Sequence, residues 1–299
     1  MKKSTITAIA ASCGAVIFAG AAIANYTTAD GYEVVKNSVL GFRGMTNYTI
    51  DFSVGVQDMN SNEITTYVHT EMDEQGNKSY TLDGVSGSFN GETTGFKNQN
   101  WEDGYKSVRQ TEDEKPWGYE YGGYSEISNP MTGDIFGDKD STEKIINFMS
   151  AALDTVTGDL KNNFTYMGTE DGVKSYRLSL DAIQIPEVVN AGISAMTSVL
   201  RAENEGYVSQ DEEDKFTENI VSMKDAYTKS VTGDFKINED GTYNDGELTA
   251  VIAGTAENGD ANEYTVTFKL ALSDVGSTAP QDGPTEYRNL VTDDTEDGE

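Results

Sequence analysis

The chain has 299 residues and a formal net charge of −30, from 51 Asp and Glu against 21 Lys and Arg. So large an acidic excess repels nucleic acid and anionic lipid surfaces, whose recognition needs clustered Lys and Arg, and it excludes nucleic-acid binding. Cys13 is the only cysteine and His69 the only histidine. A single cysteine allows no intramolecular disulfide, and Cys13 falls within the first 24 residues, a leader by the pattern below, so the mature chain has no thiol for a thiolate metal site or a Cys-His pair.

Lys2 and Lys3 precede an apolar run from Ile6 to Ala24 that closes on Ala22-Ile23-Ala24. These are the basic, apolar and small-x-small regions of an export signal, with cleavage expected after Ala24. Two other fates stay open. Residues 4–24 reach about 31 Å as a helix, long enough for a signal anchor, and Ala10-Ala11-Ser12-Cys13 loosely matches a lipidation site. In each case the rest of the protein is expected outside the cytoplasm, secreted or held at the cell membrane. Cleavage leaves 275 residues and removes both leader lysines, which takes the charge from −30 to −32. With no disulfide, one domain over residues 25–276 must rest on its hydrophobic core.

Tyr32, Val35, Val39 and Phe42 fall at helical spacing between Asp30 as N-cap and Gly44 as stop, which predicts a helix over 31–43. Tyr48, Ile50, Phe52, Val54 and Val56 then alternate with small or polar residues, the pattern of a half-buried strand. A second strand carries Ile64, Val68 and Met72, and short strands follow near 80–85, 88–90, 94–101, 105–110 and 117–127, punctuated by Gly and Asp as in an antiparallel meander.

From Asp140 a capping box to Glu143 and the stripe Ile145, Ile146, Met149, Leu153 and Val156 predict another helix. A hairpin over 164–180 turns at Glu170-Asp171-Gly172, and Ile185-Pro186 opens a helix to about Ala202 with Val189, Ile193, Met196 and Leu200 on one face. Residues 203–214 read as an acidic loop and 215–227 as a short helix. Strands over 231–237, 247–255 and 263–273 close the domain. The tail 277–299, with Pro280, Pro284 and many acids, is expected to be disordered.

This order of helix, long meander, helices and closing meander over about residues 31–274 resembles the lipoprotein-carrier (LolA-like, LppX-like) superfamily, in its exported clostridial-type members. The likeness rests on Gly31-Tyr32-Glu33, on Ile185-Pro186 with Asn190, and on the two long strands from Leu248 to Leu272 around Glu257-Asn258-Gly259-Asp260. It implies an α+β fold in which a strongly curved antiparallel β-sheet, an incomplete barrel, is covered by α-helices. It also implies a non-enzymatic envelope protein that binds or carries an apolar ligand, a lipid or lipoprotein acyl chain, in a cavity between sheet and helices. Val189, Ile193, Met196, Leu200, Trp117 and Tyr119 are the candidate lining residues. Ordinary core packing explains the helical stripe as well, and the alternative function is a cell-surface interaction or sensor module with a packed core and no ligand.

Enzyme chemistry finds no foothold. His69 falls on the strand face opposite Ile64, Val68 and Met72, where it reads as a surface residue, and no Gly-x-Ser-x-Gly elbow or phosphate loop occurs. The acids Asp134, Asp138, Asp140 and Glu143, and the run from Asp211 to Asp214, do not follow the twelve-residue calcium loop. No metal or cofactor is expected. Tyr105, Trp117, Tyr119, Tyr121 and Tyr124 form an aromatic strip that suits either hairpin packing or a partner. Nothing in the sequence sets the oligomeric state.

Overall fold

The computed structural model describes residues 31, 34–35, 37–38, 41, 45–58, 63–89, 92–112, 114–127, 163–185, 224–255 and 259–290. Their dominant feature is one sheet of twelve strands. A first meander comprises β1 (Asn47–Asp58), β2 (Glu63–Asp73), β3 (Lys78–Phe89), β4 (Glu92–Glu102), β5 (Lys106–Thr111) and β6 (Trp117–Glu120). A second comprises β7 (Phe164–Glu170), β8 (Val173–Asp181), β9 (Lys224–Asn238), β10 (Tyr243–Thr255) and β11 (Ala261–Ser273). β12 (Arg288–Asn289) is a two-residue strand at one edge.

The order across the sheet is β12-β6-β5-β4-β3-β2-β1-β11-β10-β9-β8-β7. The two meanders are therefore fused where β1 pairs with β11, Thr49 opposite Ser273 through Asp58 opposite Tyr264. Every pairing is antiparallel except that of β12 with β6.

Period-two alternation gives the sheet its main core. Tyr48, Ile50, Phe52, Val54 and Val56 of β1 are buried on the same side as Leu248, Ala250 and Ile252 of β10, Tyr264, Val266, Phe268 and Leu272 of β11, and Phe235 and Ile237 of β9. Val35, itself wholly buried, and Ile185 belong to the same cluster. A second, smaller cluster of Tyr80, Trp101 and Val108 lies on the opposite side, with Leu82 and Tyr287 against it. Adjacent residues of a strand point to opposite faces, so β3–β5 bury apolar groups on the face that β1 leaves polar.

The expected α+β architecture of a sheet covered by helices does not hold: the described residues are nearly all β, and no helix is complete among them. Gly31, Val34, Val35, Asn37 and Ser38 of the first expected helix have helical backbone, and the Gly41 amide donates to Asn37 O at 2.9 Å. The expected helices near 140–156 and 186–202, the loop 203–214 and the leader lie outside the described residues. The end of the expected 215–227 helix is strand instead, because Thr228 and Tyr227 pair with Ile252 and Ala253 of β10. That ladder overrides local helical spacing. A register shift between Ser230 and Thr228 marks a bulge there, so Thr228 and Val231, three positions apart, are both buried.

Two further boundaries differ. Residues 78–89 form one continuous strand rather than two, and β6 stops at Glu120 before Gly122-Gly123. The segment 277–290, expected to be disordered, runs across the second face as a strap. Its contacts follow strand order: Thr278 on Asn47 of β1, the Gln281 amide on Glu71 Oε2 of β2 at 3.0 Å, Asp282 on Lys78 of β3 at 3.1 Å, Gly283 on Trp101 of β4, and Tyr287 OH on Glu120 of β6 at 3.1 Å. It spans five inter-strand gaps, about 24 Å.

Candidate functional site

The first face of the sheet changes character between β2 and β3. One lateral row reads Tyr176, Phe235, Gly246, Leu270, Phe52 and Val68 from β8 to β2, then Asp83, Asn98 and Thr111 on β3, β4 and β5. The next passes from Leu272 and Ile50 through Thr70 and Thr81 to Asn100, Arg109 and Trp117. A third passes from Tyr48 and Met72 to Ser79, Glu102, Ser107 and Tyr119. A seam therefore runs along the sheet with apolar side chains on one side and amides, hydroxyls and charges on the other.

The polar side of the seam is internally bonded. Ser107, fully buried, donates to Asn100 Oδ1 at 3.2 Å and Glu102 Oε1 at 3.3 Å, and Asn100 Nδ2 donates to the same Glu102 oxygen at 3.3 Å. Burial pushes the Asp83 carboxyl above its usual value against the opposing pull of Asn98 and Arg109. The Arg109 guanidinium lies 5.8 Å from the Trp117 ring centre, and the Tyr119 and Tyr121 rings meet edge to face at 5.3 Å. Burial first, then Tyr119 and the Glu102 charge, raise the Tyr121 hydroxyl pKa well above normal.

Trp117 and Tyr119, two of the six expected lining residues, thus share this face and are partly exposed. Their neighbours are polar rather than the apolar wall expected. Val189, Ile193, Met196 and Leu200, and the cleavage point Ala24, lie outside the described residues. An open recess of about 610 Å³ sits at the start of β1, bordered by Met45, Asn47, Asp73, Gln75 and Val275, and neither Trp117 nor Tyr119 lines it.

Sequence reasoning missed a cluster on the second face. His69 lies directly opposite Asp51 in the β1–β2 ladder. Its Nδ1 is 2.6 Å from Asp51 Oδ1 and its Nε2 is 3.1 Å from Glu71 Oε1, while Tyr67 OH donates to the same Asp51 oxygen at 2.7 Å. Burial pulls the imidazole pKa down, but bonds and charge from the two carboxylates raise it above 6.5 overall. Carboxylates occupy both ring nitrogens, so the trio forms a charge clamp across β1 and β2. Only the register shows it: a one-residue slip of the hairpin would part His69 from Asp51. Among the described residues, no group of three or more His, Cys, Asp or Glu side chains is arranged to hold a metal ion.

No protein-family model matches the chain, and no curated protein matches it. Among solved structures, a porin-like protein from Bacteroides uniformis is 8% identical over 78% of this chain and 99% of its own, with a TM-score of 0.23. A β-barrel-like protein from Brucella abortus is 12% identical over 77% and 99%, with a TM-score of 0.21. A LolA superfamily protein from Nitrosomonas europaea is 8% identical over 87% and 96%, with a TM-score of 0.17. These weak likenesses to other proteins carry no argument about what this chain does.

Proposed function

We propose that the chain is a non-enzymatic extracytoplasmic protein that binds or carries an amphiphile, a lipid or a lipoprotein acyl chain, along the seam of its first face. The supporting observation is the change between β2 and β3. Val68, Leu270 and Ile127 are partly buried apolar groups against the main core. Asp83 begins the polar band one strand from Val68, and Asn98, Asn100 and Glu102 continue it two strands away. An acyl chain laid against the first set would present its polar end to the second, with Trp117 and Tyr119 beyond it. Aromatic side chains with a polar edge suit such a boundary.

The test is mass spectrometry of purified residues 25–299 under native conditions, followed by solvent extraction. A bound species that dissociates as an acyl lipid supports the proposal; ligand-free protein from every envelope fraction counts against it. A second reading is favoured by a different observation. Tyr48, Phe235, Leu248 and Phe268 are only 0–3% exposed, so the centre of the main core is closed packing. Retention of the leader as an anchor, together with no lipid binding, would favour an interaction or sensor module.

A further inference from the structure

The β5–β6 hairpin treats its aromatic rings unequally. Arg109 caps Trp117 at 5.8 Å, and Lys106 lies 5.9 Å from the Tyr287 ring centre. Tyr105 and Tyr124 carry no such cation among the described residues. Their rings meet edge to face at 5.8 Å and 78°, and they remain 60% and 59% exposed. The corner is held by backbone: the Tyr121 amide donates to Tyr105 O at 2.6 Å and the Ser125 amide to Gly104 O at 2.8 Å. Gly122 and Gly123 beside it face open space.

The charge around the corner is lopsided. Residues 102–126 hold seven acids and three bases. Of those bases, Arg109 is over Trp117, Lys106 is shared between Asp103 at 3.9 Å and Tyr287, and Lys115 is exposed in the connection between β5 and β6. Asp103 is fixed beside Tyr105, accepting its amide at 3.0 Å, and Glu126 is exposed two residues after Tyr124. Aromatic faces are electron-rich and attract cations, most strongly those that shed water easily. An inorganic cation holds its hydration too firmly for this, and an anion meets repulsion.

We propose that the Tyr105–Tyr124 corner, beside Asp103, binds a quaternary ammonium group. This does not rest on the amphiphile proposal, which concerns the seam, and the two fail separately. The shared chemistry occurs in free choline and in the head group of a phosphatidylcholine surface.

The test is a choline chloride titration of the whole exported chain followed by the aromatic NMR signals of Tyr105 and Tyr124. In parallel runs 3,3-dimethylbutan-1-ol replaces choline as its uncharged isostere. Saturable choline shifts with no response to the alcohol are expected. Tyr105→Ala and Tyr124→Ala, both exposed and tolerable to the fold, should each weaken binding about two- to fivefold and the double variant about four- to twenty-five-fold, read for all variants by saturation-transfer NMR on the choline methyl signal. Sedimentation with phosphatidylcholine and with phosphatidylethanolamine vesicles separates the sources. Selective binding to the former assigns a lipid head group, and choline binding alone assigns a small solute. No choline shift, an equal response to the alcohol, or unchanged binding by the double variant overturns the proposal.

Discussion

Asn47 and Thr278, 231 positions apart, bond to one another like neighbours in a ladder. The Asn47 side chain donates to Thr278 O at 3.0 Å and accepts from the Thr278 amide at 2.8 Å. The Thr278 hydroxyl meets that of Thr49 at 3.0 Å, and the Gly276 amide donates to Asn47 O at 2.9 Å. A planar amide here replaces a strand, fixing the strap at its first crossing point. Asn47→Ala removes two bonds and strands a buried backbone pair, so it should cost about 1–3 kcal/mol. A lower urea midpoint with unchanged slope would show it; an unaltered midpoint would mean the strap is held elsewhere.

Gly283 lies where the strap crosses Trp101. A Cβ there would come within 2.9 Å of Trp101 Cβ and 3.0 Å of Cγ. Gly283→Val should lift the strap and open the second cluster, with a red-shifted tryptophan emission and a loss of about 1–3 kcal/mol. Truncation after Ser277 should give the same spectral change in larger measure. Emission that stays blue in both variants would show that the strap does not shield Trp101.

His69 makes stability depend on pH in a defined direction. Burial opposes its charge, but Asp51 and Glu71, one on each ring nitrogen, raise its folded pKa above 6.5. The charged clamp therefore contributes fully below pH 6.5 and is lost as pH rises through the folded pKa. Tyr67 shares the Asp51 oxygen, and Tyr80 packs its ring 6.1 Å from the imidazole. Urea midpoints of the wild type and His69→Gln, at pH about 6 and about 9, should differ more at the lower value. An equal difference at both would show that the charged clamp does not stabilise the fold.

Phe235 is 1% exposed and packs its ring 6.0 Å from that of Phe164. Phe235→Ala should cost about 3–5 kcal/mol by leaving a cavity. Gly233 below it has room for no side chain, since a Cβ would lie 2.8 Å from Phe235 and 3.0 Å from Leu248. Gly233→Ala should cost about 1–3 kcal/mol through overpacking. Thermal denaturation of both variants checks the pair, and a neutral Gly233→Ala would show that β9 yields locally.

What could be read from the sequence was local. The alternation of Tyr48 to Val56 and of Tyr264 to Leu272 identifies β1 and β11, and Asp171-Gly172 identifies the β7–β8 turn. That β1 and β11 lie side by side is a pairing over more than 200 residues, which no pattern within either strand records. The strap was hidden for a related reason. Pro280, Pro284 and the acids around them describe a segment with little core of its own, and its order comes from Asn47, Glu71 and Trp101 far away. Trp117 and Tyr119, two positions apart in one strand, share a face, but their polar neighbours Asn100, Glu102 and Ser107 come from β4 and β5. A helix-like spacing near Tyr227 likewise gave way to the β10 ladder.

The two tryptophans stand on opposite faces, Trp117 beyond the seam and Trp101 beneath the strap, and brominated acyl chains quench only the indole they approach. Quenching in Trp101→Phe, where Trp117 alone reports, is the most direct test of an amphiphile at the seam. Saturable quenching is expected there and little in Trp117→Phe, where Trp101 alone remains. Equal quenching of both indoles, or of neither, would contradict it.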